Sequence, residues 1–274
     1  MPGGPPTPVI PLGKPGTAAP ATPTCTDSSG LINLETISTT VLVEKLIVDV
    51  YTPPCYRSDG DSKRLPMLVL LQGLGLQQNQ WLDIGVASAA DNLIASKKIP
   101  PFIMVIPRTD EDANDNSKFV YSSGGADSWE DYVIRDVLPT IYEKYYVRYD
   151  SAGRGIGGIS RGGYWSLEIG MRHPEEFGSI GGHSPAISND MLIGVPEGFN
   201  MISMLGNPDD ARGQRFYLDA GDEDPMQYAI EQLGQEFNAD KIENTVKVNK
   251  GGHVDAYWQA HVAEYLEFYA AAWK

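Results

Sequence analysis

The stretch Gly158-Ile159-Ser160-Arg161-Gly162 places a serine between small residues. Residues 151–157 before it are small and apolar enough for a short buried strand, and residues 163–169 after it can begin a helix. A serine in a sharp strand-to-helix turn has a strained backbone, so the turn needs small neighbours. The hydroxyl then stands clear of the sheet, beside the amide of the next residue. A glycine turn without chemistry fits the pentapeptide alone, so its surroundings decide.

Composition and charge narrow the class of protein. The chain has 274 residues, enough to bury one large core or two small ones, and 42% hydrophobic with 21% charged residues is typical of an ordinary globular protein. The formal net charge of -15 argues against a nucleic-acid partner, because phosphates would be repelled. The sequence contains no apolar run of about 18 residues, so we expect no membrane span.

Residues 1–24 differ from the rest and are predicted to be a disordered tether to a folded domain at 25–274. The tether holds eight Pro, four Gly and four Thr, and almost nothing in it could pack against a core. The start, Met1-Pro2-Gly3-Gly4, lacks the basic and apolar regions of a signal peptide. Either the protein is cytosolic or a targeting segment precedes this sequence, and the tether favours the second interpretation.

Cys25 and Cys55 are the only cysteines, and they bracket the first structured segment. A disulfide between them would fix the N-terminal strands, whereas two buried free thiols are the alternative. The neighbouring tether favours the disulfide. Both features predict an oxidising environment, so we expect an extracellular or extracytoplasmic location.

From residue 30 onward, strand patterns alternate with helix patterns. Residues 39–43 and 45–51 predict two N-terminal strands near a sheet edge, ended by Pro53-Pro54. The continuous apolar run Met67–Leu71 predicts a central parallel strand. Further strands are predicted at 102–106, 216–218 and 246–248, and helices at 81–96, 129–145 and 258–269. These units predict an α/β fold with a mostly parallel central sheet, helices on both faces and antiparallel N-terminal strands.

A serine nucleophile needs a base, and the chain has four histidines. His253 follows the last predicted strand, at the end of a sheet where ligands bind in open α/β folds. His261 falls within the C-terminal helix, and His173 precedes a proline at a helix end. His183, which follows another strand-like run, is the remaining alternative. We predict that His253 is the base.

The acid that orients the imidazole is predicted in the stretch Asp219–Pro225, after a strand. The order serine, acid, histidine is that of α/β-hydrolases and differs from the chymotrypsin and subtilisin orders. The spacing Gly221-x-x-Asp224 favours Asp224, and Asp222 is the alternative.

An oxyanion hole needs two preorganised N–H donors. The amide of Arg161, directly after the serine, is one candidate. The second is the amide of Leu74, because flanking glycines let the loop Gln72-Gly73-Leu74-Gly75 approach a substrate.

Other features of the sequence concern the substrate pocket and metals. Trp129, Trp165 and Trp258 are candidates for the wall of an acyl pocket, although aromatic residues near such sites are more often part of the core. The acidic stretch 110–116 lacks the central glycine and final glutamate of a calcium loop. We therefore predict neither a metal nor a cofactor.

In the order of these motifs, the chain resembles an esterase family of α/β-hydrolases. That family includes esterase D, feruloyl and acetylxylan esterases and mycolyltransferases. The resemblance covers roughly residues 30–274, and one departure is Gln72-Gly73 where the family usually has His-Gly. The matching stretches are Val50–Tyr56, Leu70–Gly73, Gly158–Gly163, Gly182–Pro185 and Gly252-His253 with Tyr257-Trp258.

The resemblance implies an α/β-hydrolase fold and a serine carboxylic-ester hydrolase that acts through an acyl-enzyme. We expect release of short-chain or hydroxycinnamoyl groups from small-molecule or polysaccharide esters, with 25–274 as the catalytic domain. The alternatives are an acyltransferase of the same fold and a cytosolic S-formylglutathione hydrolase. A non-catalytic binding module is disfavoured, because such a module would normally have lost a member of the triad.

Overall fold

The computed structural model describes residues 25–39, 46–57, 63–73, 79–107, 128–187 and 211–273. The predicted tether at 1–24, the candidate oxyanion residue Leu74 and the acidic stretch 110–116 lie outside these ranges. The side chain of Trp129 also lies outside the described part of the chain.

Within these ranges, eight strands form one sheet in the order β1-β2-β4-β3-β5-β6-β7-β8. The pairs β1–β2 and β2–β4 are antiparallel, and the other neighbours are parallel. The fold predicted from the sequence is therefore confirmed. The strands are β1 (Leu31–Ile37), β2 (Leu46–Thr52), β3 (Met67–Leu71), β4 (Ile103–Pro107), β5 (Arg154–Ile159), β6 (Ser179–His183), β7 (Arg215–Gly221) and β8 (Glu243–Asn249).

Helices cover both faces of this sheet. One core cluster includes buried residues of α3, α4, α5 and α6, and the other includes buried residues of α1, α2 and α7. Every residue of β3, β4 and β5 is buried, as expected for strands packed on both faces. The helices are α1 (Gln80–Asp83), α2 (Val86–Ala95), α3 (Trp129–Tyr132), α4 (Leu138–Lys144), α5 (Arg161–Arg172), α6 (Gln227–Ala239) and α7 (Asp255–Ala270).

The structure differs from the sequence prediction at several boundaries. The first strand is Leu31–Ile37, whereas most of the predicted 39–43 strand lies outside the described residues. The helix predicted at 81–96 divides at Gly85, which has a φ of 86°. A π-helical segment, Val133–Val137, joins α3 to α4 just before Pro139. The strand predicted from residue 151 begins at Arg154, since Ser151–Gly153 form a 3₁₀ turn.

The predicted disulfide between Cys25 and Cys55 is present. It joins the segment before β1 to the segment after β2, so it closes a covalent loop around the antiparallel edge of the sheet. No helix in the described ranges is both long enough and apolar enough to cross a bilayer.

Loss of the disulfide is expected to destabilise the protein by about 3 kcal/mol, because the unfolded chain gains the freedom of an open loop. Denaturant unfolding with and without reductant measures this difference. The double variant Cys25→Ser, Cys55→Ser is the control, and reductant should leave its midpoint unchanged. A wild-type midpoint that does not respond to complete reduction would contradict the expectation.

Candidate active site

Ser160 occupies the turn between β5 and α5, with a φ of 54° and a ψ of -115°. This left-handed conformation strains a residue with a side chain. The turn is tight enough that a Cβ atom on Gly158 would lie 2.1 Å from the Gly162 carbonyl oxygen. The Ser160 amide donates to the His183 carbonyl oxygen at 2.9 Å, which ties the turn to β6. The predicted strand–turn–helix geometry therefore places the Ser160 side chain at the carboxyl end of the sheet.

Ser160, His253 and Asp224 lie in one hydrogen-bonded line. Ser160 Oγ lies 2.9 Å from His253 Nε2, and His253 Nδ1 lies 3.0 Å from Asp224 Oδ2. The three residues follow β5, β8 and β7, whose carboxyl ends meet at the same edge because these strands are parallel. The structure thus brings together the three residues singled out from the sequence.

The surroundings of Asp224 favour its carboxylate form. Burial acts to raise the pKa of Asp224, but hydrogen bonds from His253, from the Met226 amide and from Ser184 outweigh it. The net effect holds the pKa of this carboxyl below its ordinary value. The Met226 amide donates to Asp224 Oδ1 at 2.8 Å, which leaves Oδ2 to the imidazole. A carboxylate at Asp224 can only accept hydrogen bonds, so it favours the arrangement in which His253 Nδ1 is the donor.

Asp222, the alternative acid, has different partners. Its carboxylate forms an ion pair with Lys250 Nζ, and its Oδ1 accepts from the Gly251 amide at 3.1 Å. Lys250 and Gly251 belong to the loop that carries His253. Asp222 consequently supports the backbone of that loop, whereas Asp224 contacts the ring.

His183, the alternative base, is completely buried. Its Nδ1 lies 2.9 Å from Asp219 Oδ1, and its Nε2 lies 3.2 Å from the Tyr269 hydroxyl. The hydroxyls of Tyr257 and Tyr265 donate to the other Asp219 oxygen at 2.8 and 2.7 Å. This network uses both ring nitrogens of His183. The His183 backbone carbonyl oxygen accepts from the Ser160 amide.

Trp258 supports the imidazole of His253 from the side. The two rings are nearly perpendicular, with centroids 5.1 Å apart. Trp258 Nε1 donates to Ser184 Oγ at 3.1 Å, and Ser184 contributes to lowering the pKa of Asp224. Trp258 and Trp165 are 2% and 3% exposed, so both belong to the core. The suggestion that these tryptophans line an acyl pocket stays a prediction.

The structure describes part of the predicted oxyanion hole. Arg161 is the first residue of α5, and the first amides of a helix have no acceptor within it. The Gly73 amide donates to Gln80 Oε1 at 2.9 Å and is thereby occupied. The sequence analysis gave no role to Gln80, which stands in no recognisable motif, or to Ser184, which lies in the matching stretch Gly182–Pro185.

Within the described ranges, Cys25, Asp27 and Cys55 are grouped closely enough to suggest metal ligands. Both sulfur atoms belong to the disulfide, whereas a metal needs the free thiolate. This group therefore does not fit a metal ion.

A strained serine after β5, an acid after β7 and a histidine after β8 define an α/β-hydrolase. The chain belongs to the esterase family described as "Putative esterase", whose model matches residues 39–269. The resemblance inferred from the motifs is confirmed.

The chain is 30% identical over 246 residues to an uncharacterised protein of Corynebacterium glutamicum, covering 80% of this chain and 56% of that protein. It is 34% identical over 139 residues to an endo-1,4-beta-xylanase/feruloyl esterase of Xylanibacter ruminicola, covering 48% of this chain and 18% of that enzyme. The chain thus spans between 18% and 56% of the length of these curated relatives.

Two solved structures share the fold. A ferulic acid esterase has a TM-score of 0.80 at 22% identity, and the match covers 90% of this chain and 99% of that one. An S-formylglutathione hydrolase of Staphylococcus aureus has a TM-score of 0.73 at 15% identity, covering 89% of this chain and 98% of that one.

The contacts of the two acids lead to a prediction about their roles. Asp224→Asn is expected to lower kcat about 10³- to 10⁴-fold, because the amide favours the wrong imidazole tautomer. Asp222→Asn should lower kcat less than about tenfold, since it disturbs only the loop that carries His253. Turnover of p-nitrophenyl acetate measures both effects. If Asp222→Asn has the larger effect, Asp224 is not the orienting acid.

Proposed function

We propose that the protein is a serine carboxylic-ester hydrolase that acts through an acyl-enzyme. The observation that carries the proposal is the continuous line of hydrogen bonds from Ser160 through His253 to Asp224. This line supplies a nucleophile, a base and an orienting carboxylate at hydrogen-bond distances. The esterase family of the chain supports the same class of reaction.

In the proposed mechanism, Ser160 Oγ attacks the ester carbonyl carbon while His253 Nε2 accepts the serine proton. The amides of Arg161 and Leu74 stabilise the negative oxygen of the tetrahedral intermediate. Collapse of the intermediate breaks the bond to the alcohol, and the imidazolium returns its proton to the leaving oxygen. Water then attacks the acyl-enzyme by the same route, releasing the acid and restoring Ser160.

The proposed substrates are esters of short-chain or hydroxycinnamic acids with carbohydrate alcohols. Support comes from the feruloyl esterase named in the Xylanibacter ruminicola relative and from the ferulic acid esterase of the same fold. The net charge of -15 disfavours strongly anionic acceptors. An extracytoplasmic location fits both the disulfide and such a substrate.

The substrate proposal predicts how activity depends on acyl length. With a fixed p-nitrophenol leaving group, kcat/KM should be highest for acetyl to butyryl esters and fall beyond about eight carbons. Methylenes that find no apolar surface contribute nothing, whereas buried ones are each worth about 0.8 kcal/mol. Methyl ferulate should also be hydrolysed. A profile that rises up to twelve carbons would indicate a lipase-like pocket, and activity confined to S-formylglutathione would exclude carbohydrate esters.

Ser160→Ala is the control for these assays. It should fold like the wild type and lose about 10⁴-fold or more in kcat, because both covalent steps need the serine oxygen. Undiminished turnover by this variant would contradict the proposed function itself.

A further inference from the structure

One buried carboxamide links two loops of the proposed active site. Gln80 is the first residue of α1, and it is 4% exposed. Its Oε1 accepts from the Gly73 amide at 2.9 Å, and its Nε2 donates to Asp255 Oδ1 at 2.9 Å. Gln80 and Asp255 are 175 residues apart in the sequence. The side chain therefore joins the segment after β3 to the segment after β8.

On the β3 side, Gln80 acts where the oxyanion loop begins. The neighbouring Trp81 donates from Nε1 to the Leu71 carbonyl oxygen at 2.9 Å. A Cβ atom on Gly162 would lie 2.4 Å from the Gln72 carbonyl oxygen, so the first turn of α5 presses against the same segment. The base of the loop is thus held by Gln80, by Trp81 and by the helix that follows Ser160.

On the β8 side, Gln80 reaches the segment that carries the base. Asp255 is the first residue of α7 and stands two residues after His253. The same helix carries Trp258, whose ring packs against His253. A displacement of the start of α7 would consequently move His253 relative to Ser160.

We propose that Gln80 is a positioning residue that holds Gly73, beside the predicted oxyanion donor, and the His253 segment at a fixed separation for the tetrahedral state. This inference depends on the proposed function, because it assigns a role within acyl transfer. Oxyanion donors act only when they are preorganised to within a fraction of an ångström. A carboxamide can accept from one backbone and donate to a carboxylate at once, whereas neither an apolar nor an ionised side chain can do both.

Gln80→Leu tests the proposal, because it keeps an apolar body and removes both hydrogen bonds. It is expected to lower kcat about 10- to 100-fold on p-nitrophenyl acetate with little change in KM, less than the loss of an oxyanion donor itself. A phenylboronic acid forms a tetrahedral adduct with the serine, and its Kd should increase by the same factor. The Kd of acetate, the planar product, should not change.

Gln214→Leu is the matched control. Gln214 is also a buried glutamine, 2% exposed, whose Nε2 donates to the carbonyl oxygens of Gly170 and Phe177. It precedes β7 and so lies at the opposite end of the sheet from Ser160. Its loss should lower the free energy of unfolding and leave boronate affinity within about threefold of the wild type. This comparison separates positioning from general stability.

A second pair of variants tests the bridge by rescue. Gln80→Glu keeps an acceptor for the Gly73 amide but places a second carboxyl group against that of Asp255. The hydrogen bond to Asp255 is then lost, so boronate affinity should fall. Adding Asp255→Asn restores the hydrogen bond in the opposite direction, because the amide at position 255 donates to the carboxylate at position 80. Boronate affinity should return to within about threefold of the wild type.

Boronate affinity of Gln80→Leu equal to that of the wild type or of Gln214→Leu would overturn the positioning role. So would a double variant, Gln80→Glu with Asp255→Asn, that recovers nothing relative to Gln80→Glu. If Ser160→Ala is inactive in parallel assays, such results leave the proposed function intact. Full turnover by Ser160→Ala would overturn the proposed function, and the role of Gln80 with it.

Discussion

The backbone of Ser160 is the constraint on which the site depends. A residue with a side chain in the left-handed region costs about 1–3 kcal/mol and persists only where the surroundings fix it. Here the Ser160 amide donates to the His183 carbonyl oxygen, and the Ser160 carbonyl oxygen accepts from the amides of Tyr164 and Ala186. These bonds come from β6, from α5 and from the segment after β6. The sheet and the helix together hold the serine where His253 can reach it.

From that fixed point, the other parts follow from the parallel sheet. Because β5, β7 and β8 run in the same direction, Ser160, Asp224 and His253 follow them at the same edge of the sheet. The buried pair His183 and Asp219 lies between β6, β7 and α7 and binds three tyrosine hydroxyls of that helix. This network docks α7, and α7 in turn carries the ring that packs against His253. Buried polar groups and the catalytic geometry are therefore connected through one helix.

The three residues of the proposed triad could be singled out from the sequence because their signals are local. The Gly-x-Ser-x-Gly turn, the glycine three residues before Asp224 and the loop around His253 each describe a short stretch of backbone. The strands Met67–Leu71 and Ile103–Pro107 were also recognisable, since strands covered on both faces are continuously apolar. The choice between Asp222 and Asp224 was open for a physical reason. The two acids are two residues apart on one turn, and only the folded chain shows that Asp222 accepts from Gly251 whereas Asp224 contacts His253.

Contacts between distant residues that no sequence motif marks could not be predicted. No pattern near Gln80 in the sequence indicates that its carboxamide donates to Asp255. The hydrogen bond between His183 and Asp219 likewise joins two strands that are far apart in the sequence. The edge strand β1 was missed because its burial is irregular, with Leu31 and Leu34 both more than half exposed. The π-helical segment before Pro139 was not evident either, since its apolar residues recur as in an ordinary helix.

The proposed mechanism requires that Ser160 becomes covalently acylated during turnover. Rapid mixing with p-nitrophenyl acetate, acid quench and peptide mass spectrometry test it most directly. We expect an acetyl group on Ser160. Where deacylation is the slower step, this group forms at the rate of an initial burst of about one p-nitrophenolate per enzyme. Acetyl groups on another residue in the productive phase would contradict it. So would steady turnover with no covalent adduct on Ser160 and with no methyl acetate formed when methanol is added as a competing acceptor.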